Sequence, residues 1–395
     1  MDIGKRKYLP SLEGIRAYAF LLVFAVHFSG SEWSLARHSY LAYPWLLGCQ
    51  LSFAALPIFF ALSGYLITGI LFDTRHQQGF FRVFYTRRAL RVLPLYYATL
   101  LLLALALVVT GHHLLWRDTL FLVYLHNFWP ETVIYQLTPS LYIAHLWSLA
   151  VEEQFYLLWP IVVWFVPDRR RLLWVCSGVV VASFAVRLLW PLLHMSGGSA
   201  YQNTFFRCDA IMLGAALALY ERGPAKSLAG LTRAAWWVLG LSSAFLVARA
   251  LAVTQALPYD YFGIAVVMPL LSLIGASVVI LAINPGNVVN RMCERQWAVE
   301  LGKMSYAMYV IHQILAPTVL HRVIPWLAAH GLGKSGGWVV GVLGAFAVTY
   351  VLSVLARVLV EEPAMRLKRH FRYGTQTAKP TREAWGGTER VGASR

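Results

Sequence analysis

The sequence predicts an all-α fold: a polytopic integral membrane helix bundle of about ten transmembrane helices, with both termini in the cytoplasm. Three observations carry this prediction: a depleted charge content, recurring apolar runs of spanning length, and a one-sided placement of basic residues. Of 395 residues, 58% are hydrophobic and only 13% are charged. Soluble domains carry about 25% charged residues, so the solvent implied for this chain is lipid. Cys49, Cys176, Cys208 and Cys293 stand apart, with no C-x-x-C pair and no metal-type spacing. That pattern sets aside a disulfide framework and a metal site.

The first span is placed at 10–29, behind Lys5, Arg6 and Lys7. This pattern imitates a signal peptide, but Arg16 interrupts the apolar run and no small-residue cleavage site follows, so a retained helix is expected. Further spans are placed at 44–72, 92–110, 144–166, 172–190, 207–220, 234–253, 262–283, 300–320 and 336–360. The longest external connection, 111–143, is too short for a second catalytic domain. Residues 1–370 are read as the transmembrane domain. Residues 371–395, polar and rich in Gly, Thr and Arg, are read as a disordered basic cytoplasmic tail.

With the N-terminus inside, the cytoplasmic segments collect 25 of the 34 Lys and Arg residues. The external connections hold only Arg37, Arg117, Arg322 and Lys334, and moving the register by one span would invert the bias. Positive-inside topology therefore accounts for the net charge of +16 without a nucleic-acid partner.

Charged side chains inside a bilayer cost a few kcal/mol each and need a partner or a purpose. In the first span, Arg16 and His27 are separated by about 1100° of helical rotation, so they share one face roughly 16 Å apart along the axis. Glu13 falls near the same line, giving one ionisable stripe on an otherwise apolar helix. The fourth span opens on His145-Leu146-Trp147-Ser148 and continues to Glu152-Glu153 and Tyr156, with the glutamates at about the depth of His27. A carboxylate beside an imidazole fixes its tautomer and stabilises its cation, as a general base requires. Arg207 and Asp209 open the sixth span two residues apart, so they face different neighbours or a ligand. In the ninth span, i, i+3 spacing groups Tyr309 with His312. For each of these a structural role is the alternative: a hydrogen-bonded packing histidine, or a solvated helix start. The loop Arg87-Arg88-Ala89-Leu90-Arg91-Val92-Leu93-Pro94 fits topology alone, or an anion site that grips the phosphates of a cytoplasmic co-substrate.

These same residues resemble acyltransferase family 3. Leu12-Glu13-Gly14-Ile15-Arg16 followed by His27 is similar to that family's first-span signature. The stretches 87–94, Trp147 to Tyr156, Arg207-x-Asp209, Ser305 to His312 and Glu361-Glu362-Pro363 follow in family order, so the likeness covers 8–370. The resemblance implies a bacterial, multi-pass enzyme of the inner (plasma) membrane. It would move an acyl group, commonly acetyl, from cytoplasmic acyl-coenzyme A to a hydroxyl of a carbohydrate, polysaccharide or small molecule. Acyl-CoA is then a co-substrate, and no cofactor is bound permanently. Carried over by position, His27 and Glu152 are the expected catalytic residues, and Arg16, Arg87, Arg88 and Arg91 the donor-binding ones. Glu13, Glu153, Arg207, Asp209, Tyr309 and His312 are expected to bind substrate or support the site. Family members often carry Asp where this chain has Glu13. Some members add a C-terminal hydrolase-like domain; a single-domain mechanism is expected here.

A transporter or flippase for a glycan or lipid-linked precursor is the competing class, since it too holds charge at mid-membrane depth. The chain has no internal repeat of the transporter kind, and coenzyme A binding would separate the two. A membrane scaffold explains the spans but not the placement of charge.

Overall fold

The structure is a computed structural model that describes residues 9–29, 52–111, 116–129, 143–224, 229–252 and 260–374. Among the described residues the architecture is helical, with a single bridge between Gln78 and Gly374. The ten longest helices among these residues are α1 (Pro10–Ser29), α2 (Ala55–Thr74), α3 (Phe80–Val109), α4 (Trp147–Phe165) and α5 (Arg169–Leu188). They continue with α6 (Thr204–Glu221), α7 (Ala229–Ala252), α8 (Met268–Ile283), α9 (Gln296–Thr318) and α10 (Gly333–Ala356). Among the described residues, seven helical stretches are long and apolar enough to cross a membrane. The last, 296–370, contains both of the expected spans at 300–320 and 336–360. The expected spans at 144–166 and 207–220 are helical too, but α4 and α6 carry polar residues and are not among the seven. Residues 44–51 of the second expected span and 375–395 of the expected tail lie outside the described residues, as does most of 111–143.

Burial sorts the helices into an inner and an outer set. In α2, 72% of the spanning window is buried, against 17% in α7. Outward faces are apolar: Leu101, Leu102 and Leu105 on α3, Trp174 and Val181 on α5, Trp237 and Leu241 on α7. Such faces suit lipid, where the backbone bonds inside each helix leave no polar group unsatisfied. α10 shows the division residue by residue. Gly337, Gly341, Ala345, Thr349 and Ser353 recur every fourth position and are its buried residues, while Leu343, Val351 and Leu355 face out. Small residues on one stripe let helices meet closely where no hydrophobic drive exists between them.

Two differences from the sequence reading matter for the site. The arginine segment 87–94, expected as a loop, is the opening part of α3, which starts after Gly79 in the left-handed region (φ 76°) and continues through Pro94. A proline removes one backbone hydrogen bond, which here leaves the helix intact. The arginines consequently stand in fixed helical register. Within the expected external connection, residues 116–129 form short helical turns, and His126 is buried with its ring stacked on Phe121 at 4.0 Å. Asn127, Gln154 and Thr204 tie this segment to α4 and α6: Gln154 donates to Asn127 Oδ1 at 2.9 Å and Asn127 donates to Thr204 Oγ1 at 2.9 Å.

Candidate functional site

The site begins where α1 and α9 run side by side. A Cβ on Gly302 would lie 1.9 Å from the Glu13 carbonyl oxygen, so the two backbones meet there with no side chain between them. Both helices then climb in parallel, and Phe20 and Phe24 of α1 flank the His312 ring at 5.6 and 6.3 Å. At the far end His27 Nδ1 lies 2.7 Å from His312 Nε2, with the rings nearly parallel at 25°. His312 is fully buried, and its Nδ1 lies 2.7 Å from the Tyr309 carbonyl oxygen.

A third imidazole joins from the start of α4. The His145 ring lies 5.1 Å from His312 and 6.4 Å from His27, and its Nε2 donates to the Val310 carbonyl at 3.2 Å. The Tyr309 hydroxyl is 2.5 Å from Ser148 Oγ and 2.9 Å from the His145 carbonyl oxygen. His27, His145 and Tyr309 line a cavity of about 310 Å³ walled by Trp147, Tyr201 and Gln313.

A second cavity, about 100 Å³, lies toward the other end of the bundle. Arg16, Arg88, Arg91, Ser63, Glu152 and Tyr156 line it, and it shares Leu56 and Tyr309 with the first. Arg16 holds Glu13 at 2.6 Å. The Arg88 guanidinium lies 3.9 Å over the Tyr156 ring, and the Tyr156 hydroxyl donates to Glu152 at 3.1 Å. Tyr156 also meets the Ser63 hydroxyl. Six polar side chains from the four helices α1, α2, α3 and α4 thus converge within a mostly apolar bundle.

The structure regroups the expected residues. Glu152, expected beside His27, lies instead in the arginine cavity, and His312 occupies the place at the His27 ring. The physical reason is depth along the helix: residues 145 and 152 share one face but lie two turns, about 10 Å, apart along the axis, so His145 meets the histidines and Glu152 meets the arginines. Glu153 lies within electrostatic range of Arg88 and Glu152 and does not line either cavity. Arg87 points away from the cavity, donating to the Phe371 carbonyl at 3.2 Å. Asp209 pairs with Arg187 of α5 at 2.7 Å, an ion pair made by proximity rather than by a well-aligned hydrogen bond. Arg207 is enclosed by the rings of Tyr201, Trp147 and Phe60 at 4.8, 5.4 and 5.7 Å, behind the wall of the larger cavity. Sequence reasoning missed Arg187, His145 and Ser148 as partners. An arginine inside an apolar span was the available signal for the first, and i, i+3 spacing from His145 to Ser148 for the others.

Imidazoles desolvated in one cavity and cations gathered in an adjoining one mark a functional site. The chain belongs to the acyltransferase-domain family, which matches it over residues 9–358. Over 233 residues it is 33% identical to YrhL of Bacillus subtilis (strain 168), which is named as a peptidoglycan O-acetyltransferase; the match covers 54% of this chain and 33% of that protein. Over 330 residues it is 27% identical to the O-acetyltransferase OatA of Staphylococcus aureus (strain NCTC 8325 / PS 47), covering 78% of this chain and 50% of OatA. The chain therefore spans half or less of the length of the curated relatives it matches. No solved structure matches it.

Proposed function

We propose that the protein is a membrane O-acyltransferase that takes an acyl group, acetyl in the first instance, from a coenzyme A thioester and passes it to a carbohydrate hydroxyl. The observation that carries this reading is the meeting of two unlike cavities at Tyr309 and Leu56, one cationic and one lined by histidines. The cationic cavity suits a phosphate-bearing donor, since arginine forks match phosphate oxygens. Positive-inside topology puts that end in the cytoplasm, where acyl-CoA is found. The acceptor approaches the histidine cavity from the opposite side, and the name of one relative, YrhL, favours peptidoglycan as that acceptor.

Arg88 and Arg91 hold the donor phosphates, Arg16 neutralises charge at the inner end of the polar stripe, and Glu152 with Tyr156 orients Arg88. The thioester then lies near Tyr309, within reach of His27. His27 removes the proton from the acceptor hydroxyl as its oxygen attacks the thioester carbonyl. The carbon–sulfur bond breaks, the thiolate leaves, and the proton passes to it from the imidazolium. A two-stage variant in which His27 carries the acyl group predicts ping-pong kinetics.

The test is transfer of radiolabel from acetyl-CoA into the glycan, lipid and small-molecule fractions of bacterial membranes holding the wild-type chain or His27→Ala at equal expression. Label that depends on His27 and enters the glycan fraction supports the reading. Full-rate transfer without His27 sinks the catalytic assignment, and label confined to lipid sinks the acceptor class.

A further inference from the structure

One carbonyl decides where the protons sit on the histidine pair. The Tyr309 backbone oxygen can only accept, so at 2.7 Å it requires the proton on His312 Nδ1. In a neutral imidazole the second nitrogen is then a lone pair, and here that nitrogen is His312 Nε2. It lies 2.7 Å from His27 Nδ1, so the shared proton belongs to His27. His27 Nε2 is left as the acceptor nitrogen on a ring that lines the larger cavity. His145 does not compete for either proton, because its Nε2 is committed to the Val310 carbonyl. The setting keeps this order intact: His312 is fully buried, and Phe28 stacks on Phe24 at 4.3 Å beside the pair.

We propose that His312 is a positioning residue for acyl transfer: with the Tyr309 carbonyl, it holds His27 in the tautomer whose Nε2 is free to take a proton. An imidazole backed by a carbonyl thus does what a carboxylate does beside other histidine bases. The inference rests on the reading of His27 as the base. In the step, the acceptor O–H bond breaks as its oxygen bonds to the acyl carbon, and the proton goes to His27 Nε2. The resulting imidazolium keeps its Nδ1–H bond to neutral His312 until the proton is delivered to the departing thiolate. No external oxidant or co-reactant enters the balance.

The experiment compares wild type, His27→Ala, His312→Gln, His312→Asn and His312→Phe as full chains in bacterial membranes at matched expression, measuring kcat and KM with radiolabelled acetyl-CoA. A glutamine amide oxygen reaches the position of Nε2 and can accept from His27, whereas asparagine reaches only the position of Nδ1. Phenylalanine fills the space with neither function. The expected result is a kcat loss of roughly 10²–10⁴-fold for Asn and Phe, with KM for acetyl-CoA little changed. Glutamine should recover at least about tenfold over asparagine, a rescue that depends on acceptor position rather than on volume. Equal activity of the Gln and Asn variants, a Phe variant near wild type, or a rise in KM alone overturns the positioning role while an inactive His27→Ala leaves the acyltransferase reading standing. Transfer that persists in His27→Ala, or is absent from wild type, overturns both.

Discussion

Gly302→Ala puts the link between helix packing and catalysis to a quantitative test. The added methyl carbon would sit 1.9 Å from the Glu13 carbonyl oxygen, whereas a carbon and a carbonyl oxygen ordinarily meet at about 3.3 Å. The backbones of α1 and α9 must therefore part by roughly 1.4 Å. Overpacking of this kind costs about 1–3 kcal/mol. Carried along two rigid helices, the same displacement would stretch the 2.7 Å His27–His312 contact beyond the ~3.2 Å limit of a useful hydrogen bond. Misplacement of a catalytic group by 1 Å can cost on the order of 10²-fold in rate. The assay is acetyl transfer by the purified protein in detergent, set against its thermal unfolding. Gly240→Ala on α7 is the control, because a Cβ there meets nothing within 4 Å. The expected outcome is a drop in both stability and kcat for Gly302→Ala and neither for Gly240→Ala. A Gly302→Ala protein that turns over at the wild-type rate would show that the α1–α9 contact does not set the histidine geometry.

Arg187→Met or Asp209→Leu alone should destabilise the protein by about 3–5 kcal/mol, since each strands a buried charge. The double variant should unfold at a higher temperature than either single one, as a melting series would show. Arg88→Ala should raise KM for acetyl-CoA at least about tenfold, because a charge-assisted bond to phosphate contributes about 1.5–3 kcal/mol. Arg87→Ala, whose side chain turns to Phe371, should change KM far less; equal effects would show that the cavity does not mark the donor site. Tyr309→Phe removes the hydroxyl shared with Ser148 and His145 but keeps the carbonyl under His312, so kcat should stay within about tenfold of wild type.

Much of the architecture was legible in composition and spacing. Apolar runs of spanning length appear as helices at each expected position within the described residues, because in lipid a backbone must satisfy its own hydrogen bonds locally. The arginine segment was expected as a loop because its charges suit a cytoplasmic connection, yet the helix begins a dozen residues ahead of the apolar span, at Phe80, and carries the arginines with it. Local spacing also grouped Tyr309 with His312, since residues three apart share a helix face.

What the sequence determined by itself, then, is which residues lie on which face of which helix: Arg16 and His27 on one stripe of α1, Tyr309 and His312 on one stripe of α9. Which stripe meets which depends on the rotation and depth of helices far apart in the chain, and a single sequence carries no record of either. Only the tertiary structure set His312 rather than Glu152 against His27, sent Glu152 to the arginines, and gave Asp209 to Arg187. The Gly302 contact shows why: close approach of two backbones fixes helix phase, and helix phase chooses the partners of every buried polar group above it.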